Sequence, residues 1–357
     1  MIDSEIKRRN IPDFFKNVKT LNDWENMRKS VKEMFLTSEY GHLPPKIEPT
    51  VREELTWQDF CAGKTDWKSI YFTFENEKGK HTVKTELILP KGKENVNVFL
   101  YVGFQAEIPN RYLPVEEILD NGFGIMTFYY QDVSADNNDF ENGLSKLFNS
   151  ESREYSKISL WAYMASACMD YLCTLSEVNS ERVAIVGHSR LGKTALLASA
   201  LDERFLLTCS NDSGCCGAAI TRGKTEENET LAKITEVFPF WFTKEFFKYV
   251  NNEDALPFDQ HMLLALIAPR YLMIGAAIKD VWADNYGQYL SCVLASPIWE
   301  LYGKDGFVYD QRLPDEPVEY TMGRVSFYMR EGTHFMSRTD WLHYMAKFKE
   351  ILETEKH

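Results

Sequence analysis

The sequence predicts an α/β architecture, a three-layer αβα sandwich with helices on both faces of a mostly parallel central sheet. Three observations carry this. Continuous apolar runs such as "VNVFLYVGF" and "FGIMTFYYQD" are the signature of strands buried on both faces. From residue 157 onward, such runs alternate with segments of helical periodicity, the pattern that right-handed crossovers lay onto one sheet. No stretch rich in Pro, Gly or Ser interrupts the alternation, so residues 1–357 are expected to form a single domain.

Trp24, Met27, Val31, Met34 and Phe35 recur at helical spacing after the cap candidates Asn22 and Asp23, which predicts an amphipathic helix over 22–36 within an N-terminal helical extension, 1–60. Alternation in "SIYFTFEN" and "TVKTELILP" predicts an antiparallel pair, and the two apolar runs above follow it. A helix ("KISLWAYMASACMDYLCTL"), a strand (182–187), a helix (191–202) and a strand ("LLTCSND") come next. Residues 211–258 read as an excursion suited to a pocket wall. The strand "RYLMIGAA", a helix, the strand "VSFYMRE" and the helix "TDWLHYMAKFKEILE" complete the chain.

Composition excludes several functions. Apolar residues make up 44% and charged residues 26%, an ordinary globular balance. The net charge of −13 is spread along the chain with no Lys/Arg cluster to track a phosphate backbone, so nucleic acid is not an expected partner. No run of 18 apolar residues occurs and "MIDSEIKRRNIPDFF" has no apolar core of signal-peptide length, which predicts a cytoplasmic protein without a membrane partner. Cys61, Cys168, Cys173, Cys209, Cys215, Cys216 and Cys292 form an odd set without metal-ligand spacing; reduced core thiols are expected, with Cys215 and Cys216 packed near a site.

One stretch carries chemistry. "VGHSRLGKTALLASA", residues 186–200, matches G-x-x-x-x-G-K-T from Gly187 and also resembles a nucleophile elbow around Ser189. A phosphate-cradling loop normally follows the first strand of its domain and uses small residues. Here at least four strands precede it, and the middle is His-Ser-Arg-Leu. An elbow instead requires an acid past a later strand and a histidine near the end of the chain, in the order Ser, acid, His. Asp280 follows "YLMIGAAI", and His334 sits in "REGTHFMS" between the last strand and the last helix. The imidazole is needed to take the serine proton, and the carboxylate to hold the imidazole's tautomer.

The elbow departs from G-x-S-x-G, because the second glycine arrives one place late at Gly192. "G-H-S-R-L-G-K" resembles the motif of the glucuronoyl esterases, carbohydrate esterase family fifteen. The resemblance continues in order through "SNDSGCCGAA", "LPFDQHMLLALIAPR", "DVWAD" and "GTHF", over roughly residues 95–350. It implies an α/β-hydrolase fold and a serine esterase cleaving a glucuronoyl or 4-O-methyl-glucuronoyl ester, with a small-molecule or oligosaccharide ester as substrate and no metal or cofactor. An acetyl esterase acting on xylan-type sugars and a catalytically silent carbohydrate-binding homologue are the alternatives.

Ser189 is the expected nucleophile and His334 the general base. By resemblance, the acid falls at Asp280 or Asp212, with Asp280 favoured and Asp212 its partner or substitute. The resemblance also implies that Arg190 supplies its backbone N–H and its guanidinium to the oxyanion, unless the guanidinium pairs with a surface carboxylate. Lys193 matches a lysine that hydrogen-bonds sugar hydroxyls, the alternative being solvated helix surface. Trp282 and Glu229 fall near sugar-contacting positions, and Trp241 either lines the same cleft or fills core. His188 is expected to pack beside the elbow, His261 to be structural, and Asp284 to cap a helix in "ADNYG". His42, His81, His343 and His357 have no supporting motif.

Overall fold

The computed structural model describes residues 2–148 and 154–355, so His357 lies outside the described residues. One ten-stranded sheet runs through them in the order β1-β2-β3-β5-β4-β6-β7-β8-β10-β9. The strands are β1 (Thr50–Leu55), β2 (Thr65–Asn76), β3 (Gly79–Pro90), β4 (Val96–Gly103), β5 (Gly124–Tyr129), β6 (Val178–His188), β7 (Phe205–Asn211), β8 (Tyr271–Ala277), β9 (Val318–Tyr320) and β10 (Val325–Arg330). β1, β2 and β3 pair antiparallel, and β3 joins β5 in the same sense. From β5 to β10 the neighbours are parallel. β9 closes the far edge antiparallel to β10.

The layers follow from period-two alternation on the central strands. On β4, Val98, Leu100 and Val102 enter one apolar cluster while Phe99 and Tyr101 enter the other. On β6, Val183 and Ile185 part from Ala184 and Val186 in the same way. The first cluster lies under the helices Lys157–Leu172, Arg190–Leu201 and Asn285–Leu301, and the second under Val115–Asp120 and Arg338–Thr354. Lys157–Leu172 is buried nearly all round, as expected of a helix apolar on every face. Among the described residues, no helix is long and apolar enough to cross a membrane.

Three expectations are corrected. The N-terminal extension over 1–60 is not wholly helical. After the helices Ile2–Arg8 and Leu21–Phe35 and a π-turn at Leu36–Tyr40, residues 50–55 form the edge strand β1, whose side chains are all exposed and leave no apolar alternation to read. The cap of the second helix is Thr20 rather than Asn22 or Asp23. Its hydroxyl accepts the Asp23 N–H while the Asp23 carboxylate accepts the Thr20 N–H, a reciprocal box that starts the helix one residue earlier. Not every cysteine is a core thiol: all seven are free, but Cys173 is exposed and Cys61 only partly covered.

The π-turn holds a buried acid. Glu39 is fully enclosed, its two oxygens taking hydrogen bonds from Gln260 Nε2 at 3.1 and 3.0 Å, and burial pushes its carboxyl up to about 8. A folded-state value raised above the unfolded 4.5 means that the unfolded chain releases this proton first as pH rises. Stability contributed by neutral Glu39 is complete below about 4.5 and is lost between there and about 8, by up to about 1.4 kcal/mol per pH unit. Glu39→Gln is therefore expected to flatten the fall of Tm between pH 5 and 8, measured by calorimetry. An unchanged slope would show that Glu39 is not the group titrating.

Candidate active site

The C-terminal ends of β6, β7, β8 and β10 converge where the chain leaves β4 for β5 on one side and β6 on the other, the place where open parallel sheets bind ligands. Ser189 stands between the end of β6 and the helix Arg190–Leu201 with φ 56° and ψ −126°, a left-handed backbone that is strained for a side-chain-bearing residue. The turn is tight enough that a Cβ on Gly187 would fall 1.9 Å from the Leu191 carbonyl oxygen, and one on Gly192 2.9 Å from Ser213 Cβ. These glycines serve the elbow. Lys193, the residue that a phosphate loop would aim at a nucleotide, is buried and donates instead to the Ser213 carbonyl.

The three residues in the order Ser, acid, His meet in space. His334 Nε2 lies 2.9 Å from Ser189 Oγ, and its Nδ1 lies 2.6 Å from Asp280 Oδ2. Asp280 is nearly enclosed in the loop after β8, whereas His334 is partly open to solvent. With Nδ1–H held by the carboxylate, Nε2 presents its lone pair to the hydroxyl and can accept its proton. The Gly192 N–H of the first helical turn bonds back to the Ser189 carbonyl at 2.9 Å, whereas the Arg190 N–H, at the first helical position, has no carbonyl four residues back within the helix and is placed to meet an oxyanion at Ser189.

Asp212 takes a different place from Asp280. It is buried at the end of β7, Oδ1 accepts the Ala277 N–H at 2.9 Å, and Oδ2 has no hydrogen-bond partner among the described residues. Arg330 stands 3.7 Å from that oxygen. Burial, reinforced by the charge of Asp280, pushes the Asp212 carboxyl well above the usual range, and Arg330 offsets this only in part. One donor atom each from Asp212, Asp280 and His334 falls within 4.8 Å of the others, a spacing that a cation could also use. A cation there would compete with the 2.6 Å bond that orients the imidazole.

A cavity of about 220 Å³ opens beside Ser189, lined by Arg190, Lys193, Glu229, Trp241, Trp282 and His334 among others. Trp282 is 46% exposed, with the Lys233 ammonium 4.7 Å from its ring centroid, and its carbonyl accepts the Glu229 N–H at 3.0 Å. Trp241 lines the cavity and is also buried, so core and cleft are not alternatives for it. Lys193 is 3% exposed, which rules out solvated helix surface. The carboxylate that pairs with the Arg190 guanidinium, Asp136, has its own side chain covered rather than on the surface.

Other residues act as supports. His188 packs against His334 with ring centroids 4.7 Å apart and places Nδ1 2.7 Å from Asn211 Oδ1; burial, aided by the neighbouring imidazole, takes it down to about 3 and keeps it neutral. Asp284 caps the helix Asn285–Leu301, accepting the Gly287 N–H at 2.9 Å. Burial opposes its ionisation, but Lys224 and Arg9 hold its carboxyl well below the usual range. The 211–258 excursion brings Ser213, Gly214, Glu229, Phe238 and Trp241 to the cavity and is tied down by a buried Arg222–Asp259 pair. Cys215 and Cys216, their sulfurs 3.8 Å apart, lie just behind Gly214. Sequence reasoning missed Asp136, and "VSADNND" offers no pattern that marks it.

A family model described as glucuronyl esterase of fungi matches residues 72–303. The chain belongs to the glucuronoyl esterase family. A carbohydrate esterase from an unknown prokaryotic organism is 38% identical to this family member over 233 residues, 64% of the chain and 53% of that protein. The chain therefore spans about half the length of that relative. A 4-O-methyl-glucuronoyl methylesterase of Phanerochaete carnosa is 26% identical over 82% of the chain and 71% of its own length. Among solved structures, a glucuronoyl esterase from Solibacter usitatus superposes with a TM-score of 0.83 at 30% identity, covering 93% of this glucuronoyl esterase-family chain and 94% of that one.

Proposed function

We propose that the protein hydrolyses a carboxylic ester of a sugar acid, with a glucuronoyl or 4-O-methyl-glucuronoyl group as the acyl part. The observation that carries this is the unbroken series from Ser189 Oγ through His334 to Asp280. Ser189 Oγ attacks the ester carbon as its proton passes to His334 Nε2. That proton leaves with the alcohol, and the acyl group stays on Ser189. Water then attacks the acyl-enzyme, gives a proton to His334, and the sugar acid departs as Ser189 recovers its hydrogen. Asp280 stabilises the imidazolium in both halves. The Arg190 N–H, at the positive end of a helix, meets the oxyanion.

The lining of the cavity and the likeness to a 4-O-methyl-glucuronoyl methylesterase support this acyl group. Trp282 offers an indole face on which a pyranose can stack, and Glu229 an acceptor for its hydroxyls. Lys193 spends one of its three N–H donors on Ser213 and keeps two for hydroxyls. Hydrolysis of benzyl glucuronate, measured beside an acetylated xylose, tests the assignment: faster turnover of the glucuronate is expected, and turnover of the acetylated sugar alone would overturn it.

Lys193→Ala refines the same reading. Lost charge-assisted hydrogen bonds are expected to lower kcat/KM on the glucuronate about ten- to hundredfold, while p-nitrophenyl acetate, whose acyl group carries no hydroxyl, is cleaved nearly as before. Equal losses on both esters would mean that Lys193 supports the elbow through its bond to Ser213.

A further inference from the structure

Asp136, in the loop after β5 and the short helix Tyr130–Val133, has a covered carboxylate that receives three side chains. Oδ2 takes the Arg190 guanidinium and, at 3.1 Å, the Tyr130 hydroxyl, while Oδ1 takes the Trp241 indole N–H at 2.7 Å. The Arg190 Cζ lies 4.9 Å from the ring centroids of both Phe238 and Trp241, and those rings are stacked 3.9 Å apart at 2°. Arg190 Nε is buried with no hydrogen-bond partner among the described residues. One carboxylate thus ties together the loop after β5, the residue next to the nucleophile, and the aromatic wall from the 211–258 segment.

We infer that Asp136 is a positioning residue for Arg190, fixing its guanidinium beside Ser189 and registering Trp241 against it. An arginine side chain has many rotamers, and a charge contributes to a transition state only if it already stands where negative charge develops. Contact with the Phe238–Trp241 pair, whose two ring centroids are both 4.9 Å from Arg190 Cζ, holds the guanidinium beside the rings but leaves it free to slide. The covered carboxylate removes that freedom through a charge-assisted bond and fixes one wall ring with the same two oxygens. The inference rests on the esterase reading, because the charge so placed serves the oxyanion formed at Ser189.

A double-mutant cycle on p-nitrophenyl acetate and benzyl glucuronate tests it. Arg190→Ala and Asp136→Asn are each expected to lower kcat by about tenfold or more on both esters with KM within about threefold, and the double variant to fall within about threefold of Arg190→Ala. Millimolar guanidinium chloride is expected to restore part of the rate of Arg190→Ala and none of the double variant, since Asp136 is what seats the added ion. Additive losses, rescue that survives loss of Asp136, or a full rate for Asp136→Asn would overturn the inference alone. Inactivity of the parent protein on both esters would overturn the esterase reading and the inference with it. Should Asp136→Asn not fold, Asp136→Glu takes its place in the cycle, and full additivity there would equally overturn the inference.

Discussion

Ser189→Ala and His334→Ala are each expected to lower kcat for glucuronate ester hydrolysis by about four to six orders of magnitude, and the double variant to lose little more. The reason is geometric. Ser189 Oγ and His334 Nε2 are 2.9 Å apart, so the hydroxyl is a nucleophile only while the imidazole can take its proton, and the imidazole has no other task at this step. Removing either member removes the same proton transfer, and the residual rate comes from the Arg190 N–H and from binding. Steady-state kinetics on the two single variants and their combination measure this directly. Losses that multiply would mean that the two residues work in separate steps. A Ser189→Ala protein that keeps its rate would end the acyl-enzyme account.

Asp280→Asn is expected to lower kcat by about four orders of magnitude, and Asp212→Asn by less than about tenfold. Asp280 accepts the His334 Nδ1–H at 2.6 Å; an amide in its place can present a donor there and turn the imidazole to the wrong tautomer. Asp212 differs because burial and the charge of Asp280 favour its neutral form. A neutral carboxyl and a carboxamide are close in shape and charge, and asparagine keeps an oxygen for the Ala277 N–H, which Asp212 now accepts at 2.9 Å. The ratio of the two kcat values is the measurement. The reverse order would move the orienting role from the loop after β8 to the end of β7.

Much of this was legible in the sequence, and what was missed has physical causes. The parallel strands announced themselves because burial on both faces demands unbroken apolar runs, as in β4 and β6. β1 escaped because every residue of Thr50–Leu55 is exposed, and β9 because three residues at an edge carry no period. Ser189, Asp280 and His334 could be picked out because the order and spacing of an elbow, a later acid and a late histidine are one-dimensional properties. The choice between Asp280 and Asp212 was less legible: each follows a strand, and what separates them is their place in space, Asp280 against His334 Nδ1 and Asp212 against the Ala277 N–H. Asp136 was invisible for the same reason. Its three partners come from positions 130, 190 and 241, and no local pattern records that they share one carboxylate.

In the proposed mechanism Ser189, activated by His334 and Asp280, carries the acyl group. Reaction with a serine-directed phosphonate, followed by intact-mass analysis, peptide mapping and residual hydrolysis of benzyl glucuronate, tests it most directly. One adduct per chain is expected, on Ser189, with activity falling in proportion to labelling and little labelling of His334→Ala. Hydrolysis that persists in protein fully modified at Ser189, or loss of activity through an adduct on another residue, would contradict it.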